Sequence, residues 1–421
     1  MVFLFCFVFR SLICNFVPIM IKRLILGVLL SISMVVSAQI DTLSVGTDSI
    51  EQSLPWPQKM QVRLDSLMND PMLDYTQLGL MVWDLTDDCP LFSYNQRQLL
   101  RPASTMKLLT AITALDCLGG NYQFRTSLYY TGEIVGRTLK GDLYCVGGMD
   151  PAFDGDDMWR FARALKDLQI DTICGCIIAD VTMKDTLKWG EGWCWDDDNP
   201  TLSPLLVNRK DDFVNRLIVE LMEADIAFED VSLSRGKLPS DAKLVSERKR
   251  SIDQILQRMM KDSDNLYAES VFYQTAARNR LPGRAQDAAR AERALLERAG
   301  VNSSAYRIAD GSGLSLYNYL SAELETKILR YAFHHQSVYS HLLCSLPIAG
   351  EDGTLKKRMR GTSAEGNVQA KTGTLTGVIS LAGYCSASNG HRLCFAIMNQ
   401  GIQKGSDARA FQDKVCMILC D

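Results

Sequence analysis

The spacing of apolar positions changes along this chain, and the changes mark out its parts. Residues 104–118 are apolar nearly all round, which predicts a helix enclosed by protein rather than one lying on a surface. Short apolar runs predict strands at 78–84, 89–95, 124–130, 143–146, 173–178, 231–234, 378–384 and 392–398, with Thr86-Asp87-Asp88 turning between the first two. Residues 252–260 and 266–278 have helical spacing. The ends of the chain alternate helix and strand, whereas the middle is strand-rich and marked by glycines. The expected fold class is α/β (α+β): one domain from residues 58–120 and 244–421, discontinuous because a mostly β region, 121–243, is inserted into it. Residues 39–57 are polar and irregular and read as a linker.

The first 38 residues are apolar in a different way. Met20-Ile21-Lys22-Arg23 followed by residues 24–36 has the basic and apolar regions of a secretory signal peptide, and Val36-Ser37-Ala38 offers small residues for cleavage before Gln39. The stretch from Met1 to Pro18 is apolar too, and Met20 is the expected start. Left uncut, the run is long enough to anchor the chain in a bilayer, but the signal pattern favours cleavage and export. At 421 residues, 47% hydrophobic and 22% charged, the chain can bury a sizeable core and build more than one domain. A net charge of -4 and dispersed basic residues give no reason to expect nucleic acid as a partner. Of thirteen cysteines, Cys6 and Cys14 fall in the leader. Cys174-Gly175-Cys176 lies in a strand-like run whose alternate side chains point the same way, a poor geometry for a bridge. The four histidines, His334, His335, His341 and His391, are far from it, so buried free thiols are expected, with no metal site and no cofactor.

Three short motifs carry candidate chemistry. Ser104 and Lys107 are three apart, on one helix face, and Pro102 just upstream suits a helix start. A serine there has its own N–H free to stabilise an oxyanion, and a desolvated lysine beside it can take its proton. Such a pair often arises by chance, but Lys107 falls in an apolar helix where an unpaired ammonium is costly. Ser263-Asp264-Asn265 precedes the helix at 266–278 and would serve as an N-cap on composition alone. In a cleft, Ser263 would relay a proton to a leaving group, Asn265 would hold a substrate amide, and Asp264 would be structural. Lys371-Thr372-Gly373-Thr374 lies in the strand-like run 367–376, where a lysine also protects an exposed edge. The same strand could accept an added peptide, with Lys371 and Thr372 on its carboxylate, Gly373 allowing close approach, and the Thr374 N–H joining that of Ser104 in an oxyanion hole.

The ordered set S-x-x-K, S-D-N and K-T-G resembles the signature of penicillin-binding proteins and class A β-lactamases. In the latter the first two motifs stand much closer together, and a glutamate loop follows; Glu297-Arg298-Ala299-Gly300-Val301-Asn302 does not match its E-x-x-L-N pattern. The long gap resembles the three-domain D-alanyl-D-alanine carboxypeptidase/endopeptidase family, the low-molecular-mass class C penicillin-binding proteins. So do Gly147-Gly148-Met149-Asp150-Pro151, Gly192-Trp193, Trp195-Asp196-Asp197, the turn from Asp310 to Ser315, and the segment from Ala349 to Leu355. Met149 stands where glycine is commoner. The resemblance implies an exported serine DD-peptidase acting in the periplasm or cell-wall space. Ser104 would be its nucleophile, Lys107 its base, and Ser263, Asn265 and Lys371 would assist. Peptidoglycan stem peptides and cross-links would be its substrates and β-lactams its covalent inhibitors. It also implies that Asp150 and Arg358 bind the side chain of the peptide's diamino acid. A β-lactamase or esterase of the same superfamily and an inactive peptide-binding protein are the alternatives. Carboxypeptidase and endopeptidase action both fit, and peripheral membrane association and oligomeric state are open.

Overall fold

The computed structural model describes residues 54–421; the leader, its cleavage point, most of the linker, Cys6 and Cys14 lie outside the described residues. The chain divides into two units, Met1–Arg63 and Leu64–Asp421. The described part of the first is residues 54–63, in which the helix Gln58–Leu67 begins. The second unit carries both sheets.

Its first sheet is antiparallel, in the order Gln369–Leu375, Val378–Ser386, Arg392–Gln400, Gln77–Asp84 and Cys89–Tyr94. The two strands Val378–Ser386 and Arg392–Gln400 are buried almost end to end, which explains why they read as continuous rather than alternating apolar runs. Gln77 pairs opposite Gln400, so segments from opposite ends of the sequence close one sheet and the middle of the chain has to leave it. Gln369–Leu375 is an edge strand, with no strand among the described residues on its other side.

The helix Met106–Leu118 runs through the centre of the neighbouring core. Met106, Leu108, Leu109, Ala111, Ile112 and Ala114 are fully buried among side chains of Ile252–Lys261, Asn265–Asn279, Ala285–Arg298, Ala322–His334 and Gln336–Ser345. A short 3-10 turn, Ala103–Thr105, leads into it, so Ser104 sits one step before the α-helix proper.

The inserted region builds a second sheet around its own apolar cluster. Leu143–Val146, Thr172–Asp180 and Ala227–Arg235 are parallel, and the helices Gly155–Asp167 and Phe213–Glu223 make the crossovers that parallel pairing requires. The strand Lys243–Ser251 pairs with Gln123–Tyr130 and carries this sheet beyond residue 243, the expected end of the insertion. It was hard to read because its alternation is almost wholly polar, KLVSERKRS, as at a half-exposed sheet border. Its Arg248 donates to Asp157 at 2.7 Å, and Arg250 also pairs with Asp157, which is buried on the helix Gly155–Asp167.

Among the described residues no helix is long and apolar enough to cross a membrane. The eleven described cysteines are free; Cys174 and Cys176 are half-buried rather than fully buried, and Cys176 Sγ lies 2.9 Å from Ser232 Oγ.

Candidate active site

Ser104 is held by a tightly built turn. Ala103 before it has a φ of 50°, a left-handed conformation that costs a non-glycine residue about 1–3 kcal/mol and so requires support. Support comes from Pro102, whose carbonyl accepts from Thr105 Oγ1 at 2.8 Å and Ser380 Oγ at 2.5 Å. Two glycines let neighbouring backbone close on the turn. A Cβ on Gly313 would stand 1.8 Å from Ala103 O, and one on Gly373 would stand 2.0 Å from Ser380 Oγ and 3.0 Å from Ser104 N. The glycine of K-T-G is therefore required by the serine turn itself.

Lys107 is fully buried, and its ammonium donates to Ser104 Oγ at 2.9 Å, Asn265 Oδ1 at 2.8 Å and the Ser312 carbonyl at 2.7 Å. Burial lowers its amine to about 8, although Asp310, Glu269 and Asp264 pull it back up. Lys371, also fully buried, donates to Ser263 Oγ at 2.8 Å and to Thr372 O at 2.7 Å. Burial, and after it the charge of Lys107, pushes Lys371 well below the ordinary lysine value. Two hydroxyls, each with its own lysine, thus meet beside the edge strand, and Ser104 and Ser263 keep some exposure.

The S-D-N turn is both cap and site. Asp264 caps the helix Asn265–Asn279, accepting from Leu266 N and Tyr267 N. Its carboxylate is also gripped by Arg258 at 3.2 Å and, through two nitrogens, by Arg209 of the inserted region. With Asp264 anchored outward, Ser263, at a φ of 59°, and Asn265 turn toward the two lysines.

A ring of buried acids supports the helix. Glu269 accepts from the N–H groups of Gly311 and Ser312, fixing the carbonyl of Ser312 against Lys107. Asp310 accepts from Gly313 N, Ser315 N and Trp193 Nε1. Burial raises Glu269 and Glu325 to about 8 and Glu292 well above its ordinary value. The Thr105 hydroxyl is shared between Glu325 Oε1 at 2.5 Å and Pro102 O at 2.8 Å, and that of Thr110 between Glu292 Oε1 at 3.0 Å and Gly311 O at 2.8 Å. Sequence reading did not single out Glu269, Glu292 or Glu325; Glu269 stands in a largely uncharged helix, as Lys107 does, but Glu292 and Glu325 lie among other charged residues and give no such signal.

Ser104, Lys107, Ser263, Asn265 and Lys371 are therefore brought together, and Thr372, Gly373 and Thr374 lie along the adjoining edge strand. Asp150 and Arg358 are not in this cluster. Asp150 is 1% exposed, accepts from Ala152 N, and has its other oxygen 4.0 Å from Arg250 Nε; burial raises it to about 6. Met149, before it, has a φ of 52°, which accounts for glycine being commoner there. Arg358 borders a cavity of about 260 Å³ above Thr372, Gly373 and Thr374, but its Nε and Nη2 both donate to Asp413 Oδ1, at 2.9 and 2.6 Å. Glu297 is exposed and accepts from Ser303 N, so it stands as no counterpart of a deacylating glutamate.

A serine turn buttressed by a helical core and laid against the edge of an antiparallel sheet is the architecture of the penicillin-recognising serine hydrolases. A solved structure of penicillin-binding protein 4 from Haemophilus influenzae shares the fold, with a TM-score of 0.76 at 22% identity over 84% of this chain and 97% of that one. A peptidoglycan endopeptidase from Bdellovibrio bacteriovorus shares it less closely, with a TM-score of 0.54 at 18% identity over 82% and 92% of the two chains. The chain belongs to the D-Ala-D-Ala carboxypeptidase 3 (S13) family, which it matches over residues 60–208 and 203–420. It is 27% identical to the D-alanyl-D-alanine carboxypeptidase of Actinomadura sp. strain R39, covering 85% of this chain and 84% of that one.

Proposed function

We propose that this chain is an exported serine DD-peptidase that cleaves peptidoglycan peptides through an acyl-enzyme on Ser104. The observation that carries this reading is the 2.9 Å contact between Ser104 Oγ and the buried, depressed amine of Lys107. The neutral amine takes the hydroxyl proton as Ser104 Oγ attacks the carbonyl of the penultimate D-alanine. The N–H groups of Ser104 and Thr374 take up the charge on the carbonyl oxygen. As the C–N bond breaks, the proton taken up by Lys107 passes through Ser263, whose hydroxyl is held by Lys371, to the leaving amine, and Lys107 is neutral again for the attack of water. Water then releases the acyl group, regenerating Ser104. The leaving group is D-alanine in carboxypeptidase action and the D-centre of a diamino acid in cross-link cleavage; both present an amine beside a carboxylate to the same cleft. Asn265, tied to Lys107, holds the amide of the acyl donor. To meet the diamino acid, Asp150 would have to be uncovered and Arg358 would have to release Asp413.

Export is supported by the leader pattern in residues 20–38 and by a substrate class that lies outside the cytoplasmic membrane. β-Lactams present a strained amide beside a carboxylate, so they acylate Ser104 and are released slowly. The test is incubation with a fluorescent penicillin beside a Ser104→Ala variant, read by denaturing gel and intact mass. A stable adduct in the unsubstituted protein alone is expected. Rapid loss of drug without adduct would instead make the chain a β-lactamase, and unchanged drug an inactive binding protein.

A further inference from the structure

An acyl donor lying along the edge strand brings a carboxylate to Thr372 and Thr374, and that carboxylate needs a counter-charge. The obvious cation is withdrawn. Lys371 is fully buried, points away toward Ser263 and the Thr372 carbonyl, and is disfavoured in its charged form. Arg358 borders the cavity, but Asp413 already meets its charge through two hydrogen bonds. Another guanidinium lines the same cavity of about 260 Å³: Arg409, in the early turns of the helix Gly405–Cys420, together with Thr354, Thr372, Gly373 and Thr374. Arg409 is exposed, and among the described residues it makes no ion pair; only its backbone carbonyl is engaged, accepting from Arg358 Nη2. That contact also fixes the turn of helix from which its side chain departs. Nearby, the Thr372 hydroxyl is bonded to Thr354 Oγ1 at 2.8 Å, and Thr374 is open to solvent.

We propose that Arg409 reads the carboxylate of the residue that leaves the acyl donor, completing a subsite with the hydroxyls of Thr372 and Thr374. The inference rests on the DD-peptidase reading and adds a specificity determinant to it. A guanidinium presents a planar fork of donors to a carboxylate, and it keeps its charge at every pH at which the enzyme works. Its exposed side chain lies outside the hydrogen-bonded set of Ser104, Lys107, Ser263 and Lys371, so it can engage a terminal carboxylate without disturbing those contacts.

The experiment compares kcat/KM for an N-acylated Lys-D-Ala-D-Ala peptide as free acid and as C-terminal amide, using the unsubstituted protein, Arg409→Ala and Arg409→Lys. The unsubstituted protein should prefer the acid, Arg409→Ala should lose about tenfold of that preference, and Arg409→Lys should retain most of it. A merely structural role would lower both substrates together and leave the ratio unchanged; an unchanged ratio overturns the proposal. Fluorescent penicillin labelling is run on the same samples. If the unsubstituted protein takes no label and cleaves neither peptide, the DD-peptidase reading fails and this inference with it; label with an unchanged ratio sinks Arg409 alone.

Discussion

Lys107 is placed so that one nitrogen can be both structural donor and catalytic base. Its three contacts use every hydrogen of an ammonium, and losing one of them toward Ser104 leaves a lone pair aimed at the hydroxyl. The sign of the pH dependence follows. A base must be neutral to work, and burial brings this amine down to about 8, so the acylation rate should climb as pH rises through that value and level off above it. Time courses of penicillin acylation across that range check this; a rate that is flat through pH 8 would remove Lys107 from the role. Burial and the charge of Lys107 also push Lys371 well below the ordinary lysine value, which disfavours a second cation beside Lys107.

At the scale of the element, the edge strand also supports the serine turn. Its glycine permits the serine turn to sit within contact of the strand, and the atoms a methyl group would strike include Pro102 O at 2.7 Å and Ser104 N, both backbone. Gly373→Ala must therefore shift either the strand or the nucleophile. Acylation by penicillin should fall by about a hundredfold while the variant remains folded, as read by thermal melting beside labelling. Near-native labelling would show that the turn can yield. In the S-D-N turn Asp264 is the cap, and its outward pull directs Ser263 and Asn265, to which the proposed mechanism gives catalytic roles, toward the two lysines.

Across the whole second unit, the inserted region reaches the catalytic motifs through Arg209 on Asp264 and through Trp193 on Asp310. Both contacts end on residues that position Lys107 or its partners. Arg209→Ala should accordingly slow acylation several-fold without abolishing it, and Arg209→Lys should recover part of the loss, since one cation replaces another but the two-pronged grip is gone. Acylation kinetics with fluorescent penicillin decide the matter; an unchanged rate would make the contact one of stability only.

The strands of the first sheet and the buried helix that follows Ser104 were legible in the chain because period is a local property, and a shared site for Ser104, Lys107, Ser263, Asn265 and Lys371 was expected only through the resemblance of their motifs; contacts between distant segments bring them together. The sequence also carried the signal of family, since the order of three motifs survives wherever the chain folds. Tertiary structure alone decided what each charged group faces. Arg358 turns to Asp413 and Asp150 sinks beside Arg250, while Glu269, Glu292 and Glu325 are buried and Arg409 lines the cavity, exposed. The physical reason is range: the partners of a buried charge come from segments far apart in sequence, and desolvation, which sets the state of both lysines, depends on everything packed around them.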